Sequence, residues 1–411
     1  MNLEPILLTG GAVAVLLWGG LAAYVVHIDR RRTAARAVVS TVLATLREDD
    51  VRSEPVAERI ARVTPLLDRI SRDMILHTAA DGSTPRDTVD VLTTHLVDRW
   101  GVYTLVREAS FHRKSRDIWR RTASMKVLFH LQHPQIVDIL ARAIESANTE
   151  VASVGLTLLG MSTDDRAPVI LIDALKQRTQ SPSRIAVHLE HSPLRPAERY
   201  RPLLRDEDPL VRFWGATLLA EYPEFEWVES ELAPLVKDPD ARVRKAAIQS
   251  LGKVGDELAA SAALQLLRDP AAFVRAHAAR ALGELERCDA AAAVAELLGD
   301  RDWWVRAAAK HSLEAMGSDV WPVLMRCLDH TDEFVRNGAA EVFQNLGILD
   351  SLIVMEAASD DPSHAKIALL RRIAAAGGMR MTDSLIERAG TSAPRIRHLL
   401  TSIGLEQVGA A

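Results

Sequence analysis

The chain has 411 residues, 48% of them hydrophobic, 26% charged and only 5% aromatic. A formal charge of −5 and a pI near 6.2 exclude a global attraction to nucleic acid. Ala, Leu and Arg dominate and no stretch alternates with period two, so the composition favours helices throughout and argues against a sheet. The two cysteines, Cys288 and Cys327, fall in helix-prone text and read as small buried hydrophobes of a reducing compartment.

The first element is an apolar run. From Pro5 to Ile28 there are 24 residues without a formal charge unless His27 is protonated. A helix of that length spans about 36 Å, enough for a bilayer core of about 30 Å. Asp29-Arg30-Arg31-Arg32 and Arg36 follow, whereas only Glu4 and the amino terminus precede it. The positive-inside rule therefore places the N-terminus outside and everything after the arginines in the cytoplasm, at the inner membrane surface. A cleaved signal peptide would need a basic region before the run, and none is present. Gly10 and Ala14, and Gly19 and Ala23, stand four apart, which fits a helix–helix contact in the bilayer or the ordinary composition of a membrane helix. Residues 1–32 thus read as a transmembrane anchor with a basic flank, with the lipid bilayer as partner through residues 5–28.

Residues 33–116 read as a helical neck. The expected helices are Thr33–Leu46, Glu54–His77 with a break at Pro65, and Arg86–Glu108 interrupted at Gly101. Asp81-Gly82-Ser83-Thr84-Pro85 is a loop with a helix start. The neck ends in a basic run from Phe111 to Arg121. Its Arg113, Lys114 and Arg116 are candidate contacts to an acidic partner or lipid head. The alternative is a solvated helix face with Trp119 in the core.

A repeat array follows. Val-Arg recurs at Val211-Arg212, Val243-Arg244, Val274-Arg275, Val305-Arg306 and Val335-Arg336, at intervals of 32, 31, 31 and 30 residues. A period of that size marks stacked units. Five residues before Val stands Asp206, Asp238, Asp269 or Asp300; in the fifth copy Asp329 is one residue out, beside His330. Four residues after Val the side chain is small (Gly215, Ala247, Ala278, Ala309, Ala339). Four further on it is large and apolar (Leu219, Leu251, Leu282, Leu313, Phe343). These positions share one helical face. An Asp or Pro opens each segment as N-cap or first-turn residue, and Gly252, Gly283, Gly317 and Gly347 stand where a helix is expected to stop. A second apolar stretch precedes each copy, for example Leu258–Arg268, Ala290–Leu298 and Val320–Leu328. The unit is therefore a helix hairpin of about thirty residues that buries its apolar face only by stacking. Weaker copies fall at Trp119-Arg120, Val151-Ala152 and Arg184, and downstream at Lys366 and Arg397. The expected solenoid runs from 117 to 405, clearest over 206–347.

The pattern Asp-x-x-x-x-Val-Arg-x-x-x-Ala-x-x-x-Leu, preceded by a Leu-rich helix, resembles HEAT repeats, closest to the bacterial type also seen in phycobilin lyases. The resemblance implies an all-α, right-handed superhelical solenoid in which the Val-Arg helix is the second of each hairpin and lines the concave face. It also implies that the Asp and Arg columns tie repeats together. Asp206, Asp238, Asp269 and Asp300 would pair with Arg212, Arg244, Arg275, Arg306 or their neighbours, and Arg336 continues that column. Because Arg follows Asp by six residues in four copies, the arginines read as paired within the array rather than offered to a ligand. Trp304 shares a column with Leu210, Phe273 and Phe334 and is expected to be packed. Trp303 shares one with Pro209, Ala241, Ala272 and Glu333, which does not demand a large apolar residue. It is a candidate partner contact, against local packing near a helix start.

HEAT-like arrays also build deoxyhypusine hydroxylase, whose di-iron ligands come as His-Glu dipeptides. None of the 13 His here is followed by Glu. No residue set marks a tetrapyrrole pocket, and no Walker loop, Ser/His/Asp grouping or metal-spaced Cys/His cluster is present. The expectation is a membrane-anchored cytoplasmic scaffold that binds one or more proteins, with no cofactor, metal or catalytic residue. A HEAT-type enzyme of the hydroxylase or phycobilin-lyase kind is the alternative.

Overall fold

The computed structural model describes residues 33–110, 118–254, 257–348, 351–352, 364–377, 394 and 401. The expected anchor at 5–28, the candidate contacts Arg113, Lys114 and Arg116, and the copy expected around Arg397 lie outside the described residues. Among the described residues every regular element is helical, and no helix is long and apolar enough to cross a membrane. The chain divides into two compact units, Met1–Arg195 and Pro196–Ala411.

In the first unit α1 (33–45) is followed by α2 (Asp49–Arg52), α3 (Val56–Leu67), α4 (Arg72–Ala80), α5 (Arg86–Trp100) and α6 (Val102–Ser110). The expected single helix Glu54–His77 is therefore two, and the break is not at Pro65. Pro65 lies inside α3, near its end. A proline ring disturbs only the turn before it, while Ser71 accepts the Met74 N–H and starts α4 afresh. Gly101 separates α5 from α6 with φ +76°, a conformation that glycine adopts without strain. The unit continues with α7 (Ile118–His130), α8 (Ile136–Ile144), α9 (Thr149–Gly160), α10 (Arg166–Gln177) and α11 (Pro182–Glu190). Both α4 and α6 pack on α7. Polar ties reinforce this contact. Arg72 clamps Glu108 with two 2.8 Å bonds, Ser124 donates to Glu108 at 3.1 Å, and the buried Arg121 donates to the Ala109 carbonyl at 3.0 Å.

The second unit holds the clear copies. Each Val-Arg segment is a helix: α13 (Pro209–Leu219), α15 (Ala241–Val254), α17 (Ala272–Glu284), α19 (Trp303–Ala315) and α21 (Glu333–Asn345), each packed on the next. The intervening helices are shorter: α12 (Ala197–Tyr200), α14 (Trp227–Leu232), α16 (Glu257–Leu266), α18 (Ala291–Glu296) and α20 (Trp321–Cys327). Three of them tighten into 3₁₀ turns at Arg201–Arg205, Ala233–Lys237 and Leu297–Gly299 just before the Asp. The Val column, the small column and the large apolar column are buried in all five copies. A fully buried Leu contributes about 1.5–3 kcal/mol relative to an exposed one, so these columns form the core.

The glycines divide into two kinds. Gly317 (φ +73°) and Gly347 (φ +69°) end helices in the left-handed region. Gly252 and Gly283 do not end helices: α15 runs on to Val254 and α17 to Glu284. In the third copy Glu286 takes the positive φ instead. Gly283 serves close packing, since a Cβ there would stand 2.7 Å from the Cα of Ser312 on α19. Gly283→Ala should therefore cost about 1–3 kcal/mol by overpacking. Gly252→Ala, whose Cβ would meet only Ala281 at 3.6 Å, should be neutral or stabilising by up to about 1 kcal/mol. Urea unfolding of the two variants checks the contrast.

Candidate functional site

The Asp and Arg columns meet in a ladder. Arg212 on α13 donates Nε and Nη2 to the two carboxylate oxygens of Asp238 at 2.7 and 2.9 Å. Arg244 grips Asp269 at 2.7 and 2.9 Å, and Arg275 grips Asp300 at 2.7 and 2.8 Å. The carboxylate belongs to the following copy. The Asp six residues earlier contributes its main chain instead: Nη1 of Arg212, Arg244 and Arg275 donates to the carbonyls of Asp206, Asp238 and Asp269 at 2.8–2.9 Å. Each Asp also caps its own loop, accepting the N–H two residues on, as Asp269 does from Ala271 at 2.8 Å. The second Asp of a pair caps the helix: Asp208, Asp302 and Asp332 accept from Leu210, Trp304 and Phe334.

The ladder changes at the fifth copy. His330 stands where Asp would, and its Nδ1 accepts the Asp332 N–H at 3.0 Å, which reproduces the loop cap. Asp329 points elsewhere and pairs with Arg372. Arg306 keeps its main-chain bonds to Asp300 and Arg301, at 2.8 and 3.3 Å, and its guanidinium lies over the Phe334 ring at 4.3 Å. Arg336 in turn donates to the carbonyls of His330 and Thr331 at 2.8 Å.

Beside the ladder runs an exposed aromatic stripe on the first turns of successive helices. It comprises Phe273 on α17, Trp303 and Trp304 on α19 and Phe334 on α21. Trp303 is 67% exposed and Phe334 56%. Trp304 is also partly exposed rather than packed, as is Trp119 in the first unit. Column position says which way a ring faces but not whether a neighbour covers it. The Trp303 and Trp304 rings meet edge to face at 5.8 Å, and Arg280 lies 4.5 Å over Trp304. Arginine thus stacks on the aromatic of the following copy twice, a pairing that no local spacing announces. Cys288 and Cys327 are half-buried rather than core residues. Burial raises both thiols above their usual range.

In the first unit a cleft of about 830 Å³ is lined by Arg86, Lys126, His133 and Asp164 among others. Among the described residues no group of three or more His, Cys, Asp or Glu side chains is placed to hold a metal ion.

This repeat geometry is that of HEAT repeats. Residues 198–275 and 260–344 match the family model of that description, and this part of the chain consists of HEAT repeats in an all-α fold. Among solved structures, the complex of CpcE and CpcF of phycocyanin lyase from Nostoc sp. PCC7120 is 22% identical. The match covers 51% of this chain and 94% of that one, with a TM-score of 0.31. The karyopherin Kap121p bound to the SUMO protease Ulp1p is 12% identical, with 88% and 47% covered and a TM-score of 0.49. Human deoxyhypusine hydroxylase is 18% identical, with 62% and 99% covered and a TM-score of 0.26. The chain spans about half the length of the karyopherin. No curated protein sequence matches the chain.

Two consequences of the ladder are measurable. Arg244 and Asp269 expose 13% and 3% of their side chains, so Asp269→Ala strands a nearly buried guanidinium and should cost about 3–5 kcal/mol. Acid should weaken the array in two steps. Burial pushes the His277 imidazole down to about 4, and Lys245 and Arg280 push the same way. Below about pH 6.5 the unfolded chain takes up that proton first, so stability falls between about 6.5 and 4. Burial raises the Asp269 and Asp300 carboxyls, but the bonds from Arg244, Arg275 and loop N–H groups outweigh it, and both end below the usual value. Their contribution is complete above about pH 4 and is lost as pH falls through the folded values. Unfolding midpoints from pH 8 to 3 should show both steps, and His277→Gln should shrink the upper one, to which the His95 and His188 imidazoles, also lowered by burial, contribute, while leaving the lower one unchanged.

Proposed function

We propose that the chain is a non-catalytic scaffold that holds one or more proteins against its repeats at the inner face of a membrane. The observation that supports this most is the stripe Phe273, Trp303, Trp304 and Phe334, exposed on consecutive helices of a stack whose own arginines are largely consumed internally. Aromatic rings in water on a rigid support are the usual anchors of a protein interface. The membrane part rests on the apolar run 5–28 and the arginines after it. Anchoring would make a modest contact effective by raising the local concentration of array and partner. Arg113, Lys114 and Arg116 would extend the contact to lipid heads or to an acidic face of the partner.

The test compares pull-downs from membranes using the chain with and without residues 1–32, and with Trp303→Ala. Trp303→Ala should change folding stability by less than about 0.5 kcal/mol while weakening capture about thirtyfold, as loss of a 2 kcal/mol anchor requires. Removal of 1–32 should release the array from the membrane and lower the yield of the same partners. Unchanged capture by Trp303→Ala would sink the aromatic face, and equal yields from both chains would sink the role of the anchor.

A further inference from the structure

The array contains its own record of what an arginine of this column binds. In three successive joints Nε and Nη2 hold a carboxylate at 2.7–2.9 Å, with Nη1 fixed on the loop carbonyls behind. In the fourth joint everything but the carboxylate is retained. Arg306 has the same Nη1 bonds to the Asp300 and Arg301 carbonyls. Among the described residues nothing pairs with its Nε or Nη2. His330, in the place of the aspartate, is exposed and engaged with the Asp332 N–H, and the Asp332 carboxylate is itself spent on the Phe334 N–H. The Arg306 guanidinium carbon lies over the Phe334 ring, 4.3 Å from its centroid. A cation–π contact uses none of the N–H donors, so the Nε and Nη2 fork keeps its capacity for an acceptor.

We propose that the Arg306 fork is a receptor for a carboxylate supplied by the partner. Specifically, it takes a Glu or Asp side chain in a segment whose flanking residues are apolar. This deepens the scaffold reading and rests on it. The fork supplies two parallel charge-assisted bonds, and the exposed rings of Trp303 and Phe334 on the same helices α19 and α21 would cover the flanking apolar side chains. Three aspartates of this chain already show the geometry. Restoring the fourth would close the site from within, so His330→Asp is the decisive variant.

The probe is a fluorescent peptide Gly-Phe-Glu-Phe-Gly and its counterpart Gly-Phe-Gln-Phe-Gly, both with the C-terminus blocked as the amide so that the glutamate side chain is the one carboxylate that differs, each titrated against the whole 411-residue chain by anisotropy. The glutamate peptide should bind at least tenfold more tightly than the glutamine peptide. In Arg306→Gln the ratio should fall to about one. In His330→Asp it should also fall to about one, with an unfolding midpoint equal to or above that of the parent chain, which excludes loss by misfolding. Equal binding of both peptides by the parent chain, still lost on Trp303→Ala, would overturn the carboxylate receptor and leave the aromatic face standing. Retention of the glutamate preference in Arg306→Gln would likewise overturn it. No Trp303-dependent binding of either peptide would overturn both.

Discussion

Three successive joints of the array each depend on one guanidinium used in two directions. A planar fork of five N–H donors reaches forward to a carboxylate and back to the carbonyls of its own loop. Arg244 does this with Asp269 ahead and the carbonyls of Asp238 and Pro239 behind. The same carboxylate turns a third role inward by accepting a loop N–H. The short turn between the two helices of a hairpin would otherwise leave peptide groups unpaired at a nearly buried position. Lysine has neither the fork nor the reach to both sides, which is why the column is arginine in all five clear copies. Joint by joint, the pair also sets the offset between neighbouring Val-Arg helices. That offset brings Gly283 against the backbone of Ser312, where a methyl group does not fit.

Much of this was legible in the sequence because repetition turns a weak local pattern into a strong one. The Val, small and large columns lie on one helical face, and that face is the core in every clear copy. The partner of each arginine was less legible. Six residues separate Asp from Arg inside a copy, and this spacing points at the Asp of the same copy. The structure uses that residue's carbonyl and takes the carboxylate from 25 or 26 residues ahead. Spacing within one copy carries no information about the offset between two. Gly252 and Gly283 misled for a related reason: a glycine near a helix end is ambiguous between termination and close approach until the neighbouring helix is placed. Trp119 and Trp304 show the same limit, since a column predicts direction and the covering neighbour comes from elsewhere.

The aromatic stripe and the changed joint occur in the same part of the stack, and this follows from how such a stack is held together. Contacts in a repeat array are local, and its stability is close to a sum over joints. A compact single-core domain has less freedom to give up a nearly buried ion pair, because the surrounding core shares the loss. Here the joint between α19 and α21 lacks its aspartate while the joints on the N-terminal side keep theirs. The cap survives through His330, the main-chain bonds survive through Arg306, and Phe334 replaces the carboxylate as the support of the guanidinium. What is removed is only the forward pair, and what it leaves is an oriented donor fork beside exposed rings. Saturated columns fix the helices, and the positions that depart from the repeat are the ones with unspent bonding capacity. For this chain that argument selects Trp303, Arg306, His330 and Phe334 over the arginines of the three closed joints.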